Sequence, residues 1–199
     1  MRTICGVAPG NFAVIDCRSL GMEGLFELRP ARHGDERGFF SQVWSRAEMK
    51  ASGFDYDFVQ DNHSRSTREG VLRGLHYQRP PAAQTKLIRV TRGAVFDAVV
   101  DLRSESPTFG QWVGLTLSAA LWNQLLIPSG FAHGFLTLED DVEVQYKVTA
   151  PYRPDLEGVV RYDDPELAIE WPVDGLDLLL SERDRTAPLL ADADLPSRW

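Results

Sequence analysis

No stretch of this 199-residue chain sustains a helical period; short apolar runs alternate with turn residues about every 8–12 positions instead. Residues 94–103 set the pattern, with Phe96, Ala98, Val100 and Leu102 on one face and Asp97, Val99 and Asp101 on the other. Val144, Tyr146 and Val148 share a face in the same way. Further strands are expected at 24–28, 39–44, 58–64, 71–78, 86–90, 112–117 and 124–127, with a polar turn at 33–38. Ser45 is placed to cap a short helix running to Ala51 and ended by Gly53, and Ser181 to start another. About ten short strands with almost no helix specify an all-β sandwich or barrel with a few short peripheral helices. The length fits one domain. We expect a loose lead-in over residues 1–23, a core over about 24–175 and a short helical segment over 175–199.

Within that pattern, Val71-Leu72-Arg73-Gly74-Leu75-His76-Tyr77-Gln78 reads as a buried strand that carries an arginine and a histidine. Lys86 then opens the next apolar run, Leu87-Ile88-Arg89-Val90. Buried cations cost several kcal/mol unless an anionic or polar group meets them, so these side chains read as the lining of a pocket for an anionic ligand. The net charge is −8, which argues against a nucleic-acid binder, yet residues 60–92 hold seven basic side chains against two acidic ones. A local positive patch in an acidic protein suits a small anion. Cys5 and Cys17 show neither disulfide nor metal spacing and read as inert. No signal peptide and no membrane-length apolar run are visible, so a reduced, cytoplasmic protein is expected.

Two spacings resemble the jelly-roll barrels called cupins. Gly70 followed six positions on by His76 matches the start of their first motif, and Pro128-x-Gly130-x-x-His133 the middle of their second. The metal-binding members continue with a second histidine and an acid, but here Gln78 takes the histidine position and Lys86 would repel a cation, so no metal is expected. Six linked motifs then resemble the dTDP-4-dehydrorhamnose 3,5-epimerase family. They are Asp35-Glu36-Arg37-Gly38-Phe39-Phe40, Phe58-Val59-Gln60-Asp61-Asn62-His63-Ser64, 72–78, 106–112, 127–135 and Tyr146-Lys147-Val148-Thr149.

The resemblance implies a cupin-like jelly roll that inverts C3 and C5 of dTDP-4-keto-6-deoxyglucose without a cofactor. It implies His76 as general base with Asp164, preferred over the adjacent Asp163, as its carboxylate partner. It implies Lys86 as the cation that steadies the enolate and Tyr146 as the acid on the opposite face. Arg73 and His133 would hold sugar and phosphates, while Gln60, Asn62 and Arg37 would meet the nucleotide, Arg37 from a partner subunit. Gln42 stands where the family usually carries glutamate, which alters the charge near the nucleotide. A homodimer that exchanges edge strands is implied as well.

The chemistry supports those residue types independently. Protons beside a ketone are acidic only because the carbonyl oxygen takes up charge as an enolate, and a fixed cation stabilises it. A neutral imidazole backed by a carboxylate is a suitable base near neutral pH. Taken alone, a strand histidine or tyrosine is more often a packing residue, and His33 and His63 read as exposed. Two rivals stand beside this reading: an enzyme that inverts one centre only, and a non-catalytic cupin that binds a nucleotide sugar.

Overall fold

The computed structural model describes residues 15–199. Six strands form one sheet in the order β1 (Asp16–Ser19), β2 (Phe26–Arg29), β10 (Gln124–Ile127), β7 (Lys86–Arg92), β12 (Val142–Val148) and β5 (Gln60–Ser66). Five form a second, in the order β13 (Glu157–Val159), β6 (Leu72–Gln78), β11 (Phe131–Thr137), β8 (Ala94–Asp101) and β9 (Trp112–Ser118). Every pairing within these two sheets is antiparallel, and chain neighbours such as β6 and β7 fall in different sheets. The chain therefore crosses between layers repeatedly, which is the jelly-roll arrangement expected.

Three apolar layers follow from the strand alternation. Between the sheets lie Ile88, Val90, Val95, Val99, Leu125, Ile127, Phe131 and Val144. Residues on the opposite faces of the same strands pack outward. Ala98, Val100 and Leu102 meet Leu167, Trp171, Leu190 and Trp199 from the long C-terminal segment. Leu28, Leu87 and Leu126 meet Met49, Phe54 and Phe58 from the segment around α1 (Arg46–Ala51). Both sheets are thus covered outside as well as inside, which is why strands such as β7, β8 and β10 carry apolar residues on both faces.

Both capped helices form where the sequence places them. Ser45 accepts a hydrogen bond from the Glu48 backbone N–H, and Ser181 one from Asp184 at the start of α2 (Glu182–Arg185). Two expectations change. The polar turn at 33–38 is instead a hairpin of β3 (His33–Asp35) and β4 (Gly38–Phe40), and the strand expected to reach residue 44 stops at Phe40. The described part of the lead-in is not loose: β1 pairs along its length with β2, and Ile15, Cys17 and Met22 are buried. The rest of that expectation, with Cys5, lies outside the described residues.

One irregularity shapes the interior. In a regular strand Arg73 and His76, three apart, would face opposite sides. The register between β6 and β11 shifts between His133 and Phe135, and the resulting bulge turns both side chains into the barrel. The two backbones cross closely here. A Cβ on Gly74, whose φ is +124°, would lie 2.5 Å from the Gly134 Cα, and one on Gly134 would lie 2.8 Å from the Arg73 carbonyl oxygen. Only glycine fits either position.

Candidate active site

Inside one end of the barrel lies a cavity of about 410 Å³. The five-stranded sheet contributes Arg73 and His76 from β6, His133 and Phe135 from β11, and Glu157 from β13. The six-stranded sheet faces them with Lys86 from β7, Tyr146 from β12, and Gln60 and Asn62 from β5. Gln84, Tyr152 and Arg183 complete the rim. Strand alternation places each one: Lys86 shares the inward face with Ile88 and Val90, and Tyr146 with Val142 and Val144.

Of the residues singled out from the sequence, seven meet in this cavity: His76, Lys86, Tyr146, Arg73, His133, Gln60 and Asn62. Asp164 does not. Its Oδ1 accepts from the Glu166 and Leu167 backbone N–H groups at 2.8 and 3.1 Å, and its Oδ2 from that of Leu190 at 2.6 Å. It is a fully engaged turn-former that ties the 163–168 turn to the C-terminal segment. The partner of His76 is Asp184, whose Oδ1 lies 2.6 Å from the imidazole Nε2. Asp184 sits in the first turn of α2, where a Ser-x-x-Asp pattern signals a helix start; its side chain turns to the histidine instead of completing the cap. Arg37 and Gln42 also stand elsewhere. Arg37, at the tip of the β3–β4 hairpin, is exposed and paired with Asp35, and Gln42 is exposed just beyond the hairpin.

The electrostatics assign states to these groups. Burial alone would push the Asp184 carboxyl up, but hydrogen bonds from His76, Ser181 and the Gly74 backbone hold it below its ordinary value. It is an anion, so Nε2 of His76 donates to it. Burial brings Lys86 down to about 8, against the opposing pull of Glu157 and Asp97. Its Nζ lies 3.4 Å from the His76 carbonyl oxygen. Burial, with Glu157 adding to it, raises Tyr146, so its hydroxyl keeps a proton to give. Deeper in the barrel, His133 Nε2 lies 2.8 Å from Asp97 Oδ2. Burial pushes this histidine down and this carboxyl up, against their mutual attraction. Among the described residues, no group of three or more His, Cys, Asp or Glu side chains converges in a way that would hold a metal ion.

The arrangement sets a base with its carboxylate on one sheet against a cation and a proton donor on the other, with arginines at the rim. It can remove a proton from a carbon acid on one side, stabilise an oxyanion, and return a proton from the other side.

Comparison with known proteins places this geometry. A family model described as dTDP-4-dehydrorhamnose 3,5-epimerase matches residues 19–192. The dTDP-4-dehydrorhamnose 3,5-epimerase of Pseudomonas aeruginosa is 54% identical over 171 residues, covering 85% of this chain and 92% of that protein. A dTDP-6-deoxy-D-glucose-3,5-epimerase from Legionella pneumophila Philadelphia 1, solved in complex with dTDP-4-keto-L-rhamnose, is similar with a TM-score of 0.87. It is 43% identical, and the match covers 93% of this chain and 98% of that one. ChmJ, a 3'-monoepimerase from Streptomyces bikiniensis solved with dTDP-quinovose, is similar with a TM-score of 0.80 at 38% identity, covering 86% of each chain.

Proposed function

Because this chain belongs to the dTDP-4-dehydrorhamnose 3,5-epimerase family, we propose that it inverts C3 and C5 of dTDP-4-keto-6-deoxy-D-glucose to give dTDP-4-keto-L-rhamnose. The observation that carries the reading is the opposition across one cavity of His76 on one sheet, backed by Asp184 of α2, and Lys86 with Tyr146 on the other sheet.

His76 removes the proton from the carbon beside the C4 ketone, and Asp184 supports the imidazolium that forms. The electron pair moves to the ketone oxygen, where the Lys86 ammonium stabilises the enolate in a site sheltered from water. Tyr146 then protonates the same carbon from the opposite face, and the stereocentre is inverted. Hydrogen leaves and returns as a proton, so each step needs only an acid, a base and a cation. Arg73 and His133 hold the sugar and phosphates, and Gln60 and Asn62 the nucleotide.

The chain acts as a homodimer in this reading. The β3–β4 hairpin carries Arg37 away from its own cavity and exposes Phe39 and Phe40, 50% and 71% accessible. An exposed aromatic pair beside an exposed arginine that lies outside its own cavity suits an arm laid on a second copy. Gln42 follows that arm. Among the described residues no helix is long and apolar enough to cross a membrane, and we place the enzyme in the cytoplasm with its nucleotide-sugar substrate.

Incubation with dTDP-4-keto-6-deoxyglucose in D₂O tests the assignment. Deuterium at both C3 and C5 is expected, lost in His76→Ala. Label at one carbon alone would assign the chain to single-centre enzymes such as the monoepimerase relative. Binding without label would make it a binding protein.

A further inference from the structure

The wall of the cavity holds a carboxylate that the proposed mechanism leaves without a role. Glu157 lies on β13, whose register sets it opposite Gln78 and sets Val159 opposite His76. Its side chain is only 13% exposed, and its Oε2 is the meeting point of two groups from separate segments. The Tyr152 hydroxyl donates to it at 2.7 Å from the loop before β13, and the Arg183 guanidinium pairs with it from α2. Tyr152 continues the line, its backbone N–H donating to Gln60 Oε1 at 3.0 Å, and Gln60 in turn donates to Asn62 at 2.8 Å. Arg183 immediately precedes Asp184, the carboxylate on His76.

A surface ion pair contributes little to stability and gives no reason to bury a carboxylate. Here the carboxylate is sheltered while both partners remain half open at the rim, Tyr152 at 50% and Arg183 at 48%. A guanidinium carries five donors, and those not committed to Glu157 remain for an anionic ligand at the opening. Glu157 also stands in the same cavity as Lys86. The charged or titratable groups that share the cavity wall with Lys86 or act on it are His76 and Arg73 on β6, Asp97 on β8, His133 on β11, Tyr146 on β12, Tyr152 before β13, Glu157 on β13 and Arg183 on α2. Only Asp97 and Glu157 among them are carboxylates; Asp97 is engaged by His133, and Glu157 by Tyr152 and Arg183 at the mouth.

We propose that Glu157 is a positioning residue of this site: its carboxylate joins Tyr152 and Arg183 into one wall of the mouth, fixes the turn of α2 that presents Asp184, and sets a negative charge across the cavity from Lys86. Substrate binding and the alkaline limit of activity then depend on a side chain that touches no reacting atom. The inference rests on the epimerase reading.

The test compares the wild-type enzyme with Glu157→Gln, which keeps the shape and loses the charge, and with Arg183→Gln at the exposed end of the pair. Deuterium wash-in by the wild type establishes the epimerase activity, so failure there would count against that reading and not against this one. In Glu157→Gln we expect KM to rise roughly tenfold, the loss of about one charge-assisted hydrogen bond. We also expect the alkaline limb of kcat/KM to move to lower pH, because Lys86 loses an anion that favours its charged form. Arg183→Gln should repeat the rise in KM without moving that limb, and the double variant should be no worse in KM than the single ones. Glu157→Asp should restore the limb in part. An unchanged KM and pH profile in Glu157→Gln would overturn the proposal. So would a fall in kcat alone with the limb in place, which marks a merely structural residue. Should Glu157→Gln fail to fold, a wild-type KM in Arg183→Gln overturns it equally.

Discussion

Two histidines line the same cavity, each backed by an aspartate, and the two pairs differ in burial and in the state of the carboxyl group. His76 is 31% exposed, and its partner Asp184 is held as an anion by three hydrogen bonds. His133 is 10% exposed, its partner Asp97 is fully buried, and the second oxygen of Asp97, Oδ1, accepts no hydrogen bond among the described residues. Burial pushes the His133 imidazole down and the Asp97 carboxyl up, which drives the second pair toward neutrality. In the proposed mechanism the same two residue types therefore serve as a base at the more open position and as a substrate-holding, hydrogen-bonded pair at the more buried one. Accessibility decides which.

The difference can be broken most forcefully at the first pair. His76→Ala should lower kcat about 10³–10⁴-fold in a deuterium wash-in assay, with the fold intact by circular dichroism. Asp184→Asn should cost roughly 10²–10³-fold, since the amide leaves the imidazolium unsupported. Asp97→Asn should cost only about tenfold, because in the proposed mechanism His133 holds substrate and exchanges no proton. A loss equal to that of Asp184→Asn would make the two pairs equivalent. The pH profile sharpens the contrast. Lys86 lies near 8, below an ordinary lysine, so its cationic form is lost as pH rises through that value. The limb of kcat/KM above pH 8 should fall about tenfold per pH unit. The smallest effect on chemistry belongs to Asp164→Asn, where kcat should stay within about threefold. Its buried hydrogen bonds should instead cost roughly 2–3 kcal/mol of stability, read as a lower Tm.

The strands, the two capped helices and seven cavity residues were legible because each rests on local pattern: period-two alternation, a serine before a helical turn, a motif of fixed spacing. The identity of the His76 partner was not. Asp164 and Asp184 both follow helix- or turn-forming signals, and which carboxylate reaches β6 depends on how the C-terminal segment wraps the outer face of the five-stranded sheet. Sequence spacing carries no information about that path. The shared orientation of Arg73 and His76 was hidden for a related reason, since a bulge reverses the side that strand periodicity assigns. Asp97 read as one more polar position in an alternating strand, and only burial marks it out. The β3–β4 hairpin looked like a turn because its strands are only three residues each.

Asp184 follows His76 by 108 residues and arrives on a segment that packs over a sheet already complete without it. On a ribosome, the strands that build the barrel emerge before the residue that makes the histidine a competent base. In the proposed mechanism, full activity therefore requires the wrap to be docked as well as the barrel to be closed.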